Sequence, residues 1–130
     1  MRVAISLSIG LAASFLASPT RAQPAPAATR TVLADLRPDA DAISTRLVIA
    51  GSARPSFTHH NPDPLTVIVD IADADSSRLP ARLEVATREV ESLRVSSMAS
   101  GSGPTVTRIE VRLAAPAPYT VLAEGNDLVI

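Results

Sequence analysis

Apolar residues recur at every second position in short runs broken by proline, glycine and aspartate, and that period predicts β-strands. The run that organises the rest is Leu65 to Ile71. Leu65, Val67, Val69 and Ile71 fall on one face, and Ile68 makes the other face partly apolar. A strand apolar on both faces belongs inside its sheet, so the more lopsided segments are expected to pack around it. Asn61-Pro62-Asp63-Pro64 precedes the run. Neither proline offers a backbone N–H, so a turn is expected there.

In chain order, Thr31 to Leu36 alternates with Val32, Ala34 and Leu36 on one face, and Arg37-Pro38-Asp39-Ala40-Asp41 signals a turn. Ile43 to Ala50 follows with Ile43, Leu47 and Ile49 in phase, and Ser56 to His60 reads as a short strand. Ala72 to Arg82 is polar, contains Pro80 and reads as a loop. Leu83 to Glu91 fits a short strand or a single helical turn equally well. Leu93 to Met98 is extended, and Val90 is out of phase with Leu93 and Val95, which predicts a bulge near Ser92. Ala99 to Pro104 is a hairpin loop. Thr105 to Leu113 alternates most cleanly: Ile109, Val111 and Leu113 point one way, and Arg108, Glu110 and Arg112 the other. Tyr119 to Ala123 and Asp127 to Ile130 close the chain as strands around a Gly125-Asn126 turn. Seven or eight short strands, with no clear long helix after the N-terminal region, predict an all-β fold, an antiparallel β-sandwich of two small sheets spanning 31–130.

The 130 residues suffice for one domain, and composition decides how its core is built. Hydrophobic residues make up 46% and aromatics only 2%, so the core must come from Val, Ile, Leu and Ala. With no cysteine, neither disulfides nor a cysteine-ligated metal can hold the fold together.

Residues 1–22 carry a different pattern. Arg2 is a one-charge n-region, Val3 to Ala17 an acid-free apolar stretch, and Thr20-Arg21-Ala22 places small residues at the −3 and −1 positions. These are the parts of a cleavable signal peptide, with cleavage expected before Gln23 and a periplasmic mature protein. The apolar stretch is shorter than the roughly 20 residues of a membrane-spanning helix. Residues 23–30 form a Pro/Ala-rich tether. Losing Arg2 and Arg21 leaves ten basic against 13 acidic residues, a formal charge of −3, which argues against a nucleic-acid partner. The chain ends in the strand-like Asp127 to Ile130 without a polar tail, as expected of a fragment or of a domain cut from a longer protein.

Signals for catalysis are weak. His59 and His60 are the only histidines; as neighbours on a strand they would face opposite sides and not share a metal, and they read as solvated residues beside a turn. A Ser-His-Asp site would depend on one of them, and no Gly-x-Ser-x-Gly turn, phosphate loop or dinucleotide fingerprint is present. No enzymatic activity, metal or cofactor is expected. What remains is a binding surface. Arg108 and Arg112 flank Glu110 on one exposed strand face, with Arg94 on a neighbouring strand, and guanidinium forks suit carboxylates and phosphates. The same face also reads as a polar surface that limits aggregation. Tyr119 offers a stacking surface for a sugar or a place in the core.

The order of these segments resembles the AMIN domain, a module at the N-terminal side of type IV pilus secretins and of periplasmic N-acetylmuramoyl-L-alanine amidases. The likeness runs from Thr31 to Ile130. It comprises Val32 to Leu36, then Arg46-Leu47-Val48-Ile49-Ala50-Gly51, then Asn61-Pro62-Asp63 leading to Val67-Ile68-Val69-Asp70-Ile71. Val90 to Val95, Thr107 to Leu113, Pro118 to Val121 and Gly125 to Ile130 complete it. The resemblance implies a non-catalytic β-sandwich that binds peptidoglycan and localises its parent, a pilus or secretion secretin, in the envelope. Two alternatives are a protein–protein docking domain without glycan binding and the targeting domain of a cell-wall amidase.

Overall fold

The computed structural model describes residues 30–99 and 103–130. The expected signal peptide, and the tether up to residue 29, lie outside the described residues. Ten strands form two five-stranded sheets, and no helix occurs among the described residues. The first sheet runs β5 (Ala74–Asp75), β1 (Thr31–Ala40), β2 (Thr45–Gly51), β10 (Asp127–Val129), β9 (Leu122–Glu124). The second runs β3 (Phe57–Asp63), β4 (Thr66–Ala72), β8 (Thr105–Leu113), β7 (Val90–Ala99), β6 (Arg82–Glu84). All pairings are antiparallel except one. β5 lies parallel to β1, matching Thr31 with Ala74 and Val32 with Asp75, so the expected all-antiparallel sandwich is mostly, not wholly, antiparallel.

Alternation builds the core. In the second sheet Val67, Val69 and Ile71 of β4, Ile109, Val111 and Leu113 of β8, and Leu93 and Val95 of β7 are all buried. They meet Leu33, Leu36, Leu47, Ile49 and Leu128 of the first sheet in one aliphatic cluster. Thr107 is the fully buried polar member, and its hydroxyl donates to the Ala74 carbonyl at 3.2 Å, tying β8 to the opposite sheet. A buried hydroxyl must find such a partner or cost stability. β4 is an interior strand, as its two apolar faces require, but the sheet's centre is β8, which pairs with β4 along one edge and β7 along the other.

Several sequence expectations are corrected. The turn placed at Arg37 to Asp41 is strand: β1 continues to Ala40. Pro38 is tolerated because Leu47, its partner in β2, directs its own N–H and C=O to Ile130 on the other side. The pair Pro38–Leu47 therefore needs no bond from the proline, whose nitrogen faces the free edge. The hairpin turn sits instead at Asp41–Ser44, where Asp41 Oδ1 accepts the N–H groups of Ile43 and Ser44, both at 2.8 Å. That keeps Ile43 out of the strand and 86% exposed, against the expected core position. A bulge between Leu33 and Asp35 shifts the phase of β1, so Leu33 and Leu36 face inward in place of the set Val32, Ala34, Leu36.

β3 likewise runs through Pro62 to Asp63. It is an edge strand with an irregular register between His60 and Asp63, the setting in which a strand accepts proline. His59 and His60 are thus strand residues, exposed, and not part of a loop. The loop expected over Ala72 to Arg82 contains the two-residue β5. Leu83 to Glu91 resolves into the end of β6 and a turn that leads into β7. Tyr119 to Val121 is irregular, and β9 starts only at Leu122. The bulge expected near Ser92 is present between Val90 and Ser92.

Candidate functional site

Register sets the outer face of the second sheet. Across the strands, His60, Ile68, Glu110, Arg94 and Arg82 form one row, and Thr66, Arg112, Ser92 and Glu84 the next. A third row holds Thr58, Asp70, Arg108 and Ser96. All three sequence-predicted arginines, Arg94, Arg108 and Arg112, therefore share this face. Their guanidinium groups are engaged differently.

Arg108 is closed. Its Nε and Nη2 donate to the two oxygens of Asp70 at 2.8 and 3.0 Å, the bidentate geometry that uses both edges of carboxylate and fork. The hydrogen bonds from Arg108 hold the Asp70 carboxyl below its ordinary range, against opposing desolvation, with further help from the charges of Arg108 and His60. In turn Asp70 pushes the Arg108 pKa up. A depressed carboxylate stabilises the fold above its unfolded pKa of about 3.9 and loses that contribution as pH falls through the lower folded value. Wild type should therefore lose melting temperature on acidification below about pH 4, and Asp70→Asn should lose less over the same window. Thermal melts of both proteins between pH 2 and 7 check this; parallel curves would show that the pair is not linked to folding.

Arg94 and Arg112 are more available. Arg94 has no carboxylate oxygen within 4 Å among the described residues, although Glu110 is its cross-strand neighbour. Arg112 reaches Glu91 only at 3.7 Å. Both line a hollow of about 210 Å³ together with Arg82, Glu91 and Glu110. Arg82 was not among the predicted site residues, because Ala72 to Arg82 read as loop. The missed signal is its phase with Leu83 and Glu84, which makes Arg82 the first outward residue of β6. It pairs with Glu84 at 2.8 Å on the exposed surface.

No family model, curated protein or solved structure matches the chain. The site must be read from its own chemistry.

Tyr119 lies apart from the arginines. It is half-buried at the mouth of a cleft between the sheets, lined by the inner-face residues Val67 and Val111. Its hydroxyl is 3.4 Å from His59 Nδ1, and the two rings meet edge to face with centroids 5.6 Å apart. Among the described residues no group of three or more His, Asp or Glu side chains is arranged to hold a metal ion.

Proposed function

We propose that this chain is a non-catalytic periplasmic module that binds peptidoglycan and places a parent protein, a pilus or secretion secretin, at the cell wall. Two things support the reading: the AMIN-like order of its segments, and the convergence of Arg82, Arg94 and Arg112 on one hollow of the outer face. The second carries it. Arg94, with no carboxylate on it, and Arg112, held only at 3.7 Å, leave two guanidinium edges facing solvent. Peptidoglycan stem peptides carry carboxylates, which such edges hold in a bidentate way. The mature chain is net negative, so attraction to an anionic wall has to come from local placement. Arg108, closed on Asp70, serves the face by fixing it, and Tyr119 takes no part.

Co-sedimentation of the chain from Gln23 onward with purified sacculi, over a salt series, tests the proposal. Exposed charge contacts are worth about 0–1 kcal/mol each, so Arg94→Ala with Arg112→Ala should weaken binding about threefold to tenfold. Added salt should weaken it further. Wild type remaining in the supernatant at low salt would overturn wall binding and leave the docking alternative. A folded double variant that sediments like wild type would move the site off this hollow.

A further inference from the structure

The cleft beneath Tyr119 lies apart from the arginine hollow and shares no lining residue with it. It measures about 440 Å³, and its floor is the edge of the core, where Leu47, Val67, Val111, Leu113 and Val129 are each at most 7% exposed. Its rim carries Ile43 and Leu122, 86% and 39% exposed, two of the three large exposed hydrophobic residues among those described. A segment from 115 to 120 crosses the mouth. Among the described residues it has no regular structure and no backbone–backbone hydrogen bond; its nearest tie is the bond from the Ala114 N–H to the Glu89 carbonyl. With no backbone bond of its own, the segment is held by Tyr119, which packs against the core and meets His59.

Charge at the rim decides what fits. Arg46 is closed on Glu124, with its Nη2 3.2 Å from both carboxylate oxygens. Glu89 is not closed: Oε2 accepts the Thr45 hydroxyl at 2.6 Å, and no cation lies within 4 Å among the described residues. The mouth thus presents one uncompensated carboxylate beside an aliphatic slot. We propose that the cleft docks an extended aliphatic segment of a partner protein that carries a lysine or arginine, with aliphatic side chains entering the slot and the cation on Glu89. A small ligand confined to the slot would leave Ile43 in water, whereas a chain passing over the rim covers both Ile43 and Leu122.

The protein carries its own reporter, since Tyr119 is the only tyrosine and there is no tryptophan. The probes are two capped octapeptides of alternating threonine and valine, one with a central lysine and one with glutamate in its place. The lysine peptide should shift Tyr119 emission saturably and bind about fivefold or more tightly than the glutamate peptide. Glu89→Gln should erase that preference. Ile43→Ser, at a position too exposed to threaten the fold, should weaken the lysine peptide about threefold or more while leaving the melting temperature and sacculus binding unchanged. Equal binding of the two peptides, no saturable response, or an Ile43→Ser variant that binds like wild type would each overturn the proposal. Because wall binding is read separately by sedimentation, failure of one reading leaves the other standing.

Discussion

Val69→Asp is expected to abolish cooperative folding. Val69 is 0% exposed, lies on the inner face of β4 and pairs with Ile109 of β8 at the middle of the sandwich. Aspartate there faces the aliphatic core beside Ile109, and its other cross-strand neighbour, His59, is an exposed edge-strand residue, so it must stay ionised in a largely dry site or take up a proton. Either route costs several kcal/mol, a large part of the roughly 5–15 kcal/mol that holds a domain of this size together. The next residue supplies the control. Asp70 is a carboxylate on the same strand, tolerated because it points to the opposite face and finds Arg108. Position within the pleat, not the aspartate itself, sets the cost. Circular dichroism and thermal melts of the variant should show no cooperative transition, with Ile68→Thr, on the outer face, melting cooperatively alongside. A Val69→Asp protein that melts like wild type would mean that β4 does not present this face to the core.

The same pleat explains which parts of the fold were legible in the sequence. Strands with one wet and one dry face, such as β8, announce their phase, and Ile109, Val111 and Leu113 are all buried as that phase requires. β1 conceals its phase because a bulge after Leu33 changes it mid-strand, and nothing in Val32 to Leu36 marks the extra residue. Pro38 and Pro62 misled for one common reason. A proline stops a strand only where its nitrogen should donate; Pro62 lies on the edge strand β3, and Pro38 on the stretch of β1 beyond the two residues that β5 covers. Ile43 continued the period of β2 correctly, but the Asp41 side chain captures its N–H and ends the strand first. β5 is two residues long and is defined only by its neighbour, so no local pattern could reveal it.

The arginine face was legible as a set and not as a site. Alternation puts Arg108 and Arg112 on the outer side of β8, and Arg94 faces the same way on β7. Which of them stays open depends on partners 38 residues away in the case of Arg108 and Asp70, and that pairing follows from the β4–β8 register alone. The register also turns Arg82 toward Arg94. The result changes the chemistry expected of the face: its most sheltered arginine is closed on Asp70, and the proposed binding rests on Arg94 of β7 and Arg112 of β8.

Gly51→Ala should destabilise the protein, although local propensity argues for the reverse. Glycine inside or at the end of a strand loses more chain entropy on folding than alanine does, so the substitution alone would be worth about 0.5–1 kcal/mol in favour of the variant. Contact decides otherwise. Gly51 closes β2 where the β9–β10 turn folds over it, and that turn is made by Gly125, in the left-handed region at φ 60°, and Asn126. A Cβ on Gly51 would stand 2.8 Å from the Asn126 carbonyl oxygen and 3.3 Å from that of Ala53. Both obstacles are backbone, so no rotamer change relieves them. Either the β9–β10 hairpin lifts or β2 retreats from β1, where Gly51 is paired with Leu33 at the bulge. Overpacking of this kind costs about 1–3 kcal/mol, which outweighs the entropic gain. Once the entropic gain is subtracted, a domain near 100 residues should fall by up to roughly 20 °C in melting temperature. Gly51→Val, with two further methyl groups against Thr31 and the turn, should fall further. A thermal melt in which Gly51→Ala matches or exceeds wild type would show that the hairpin does not close on β2. That outcome would also bear on the cleft, because the same hairpin carries Leu122 to its rim.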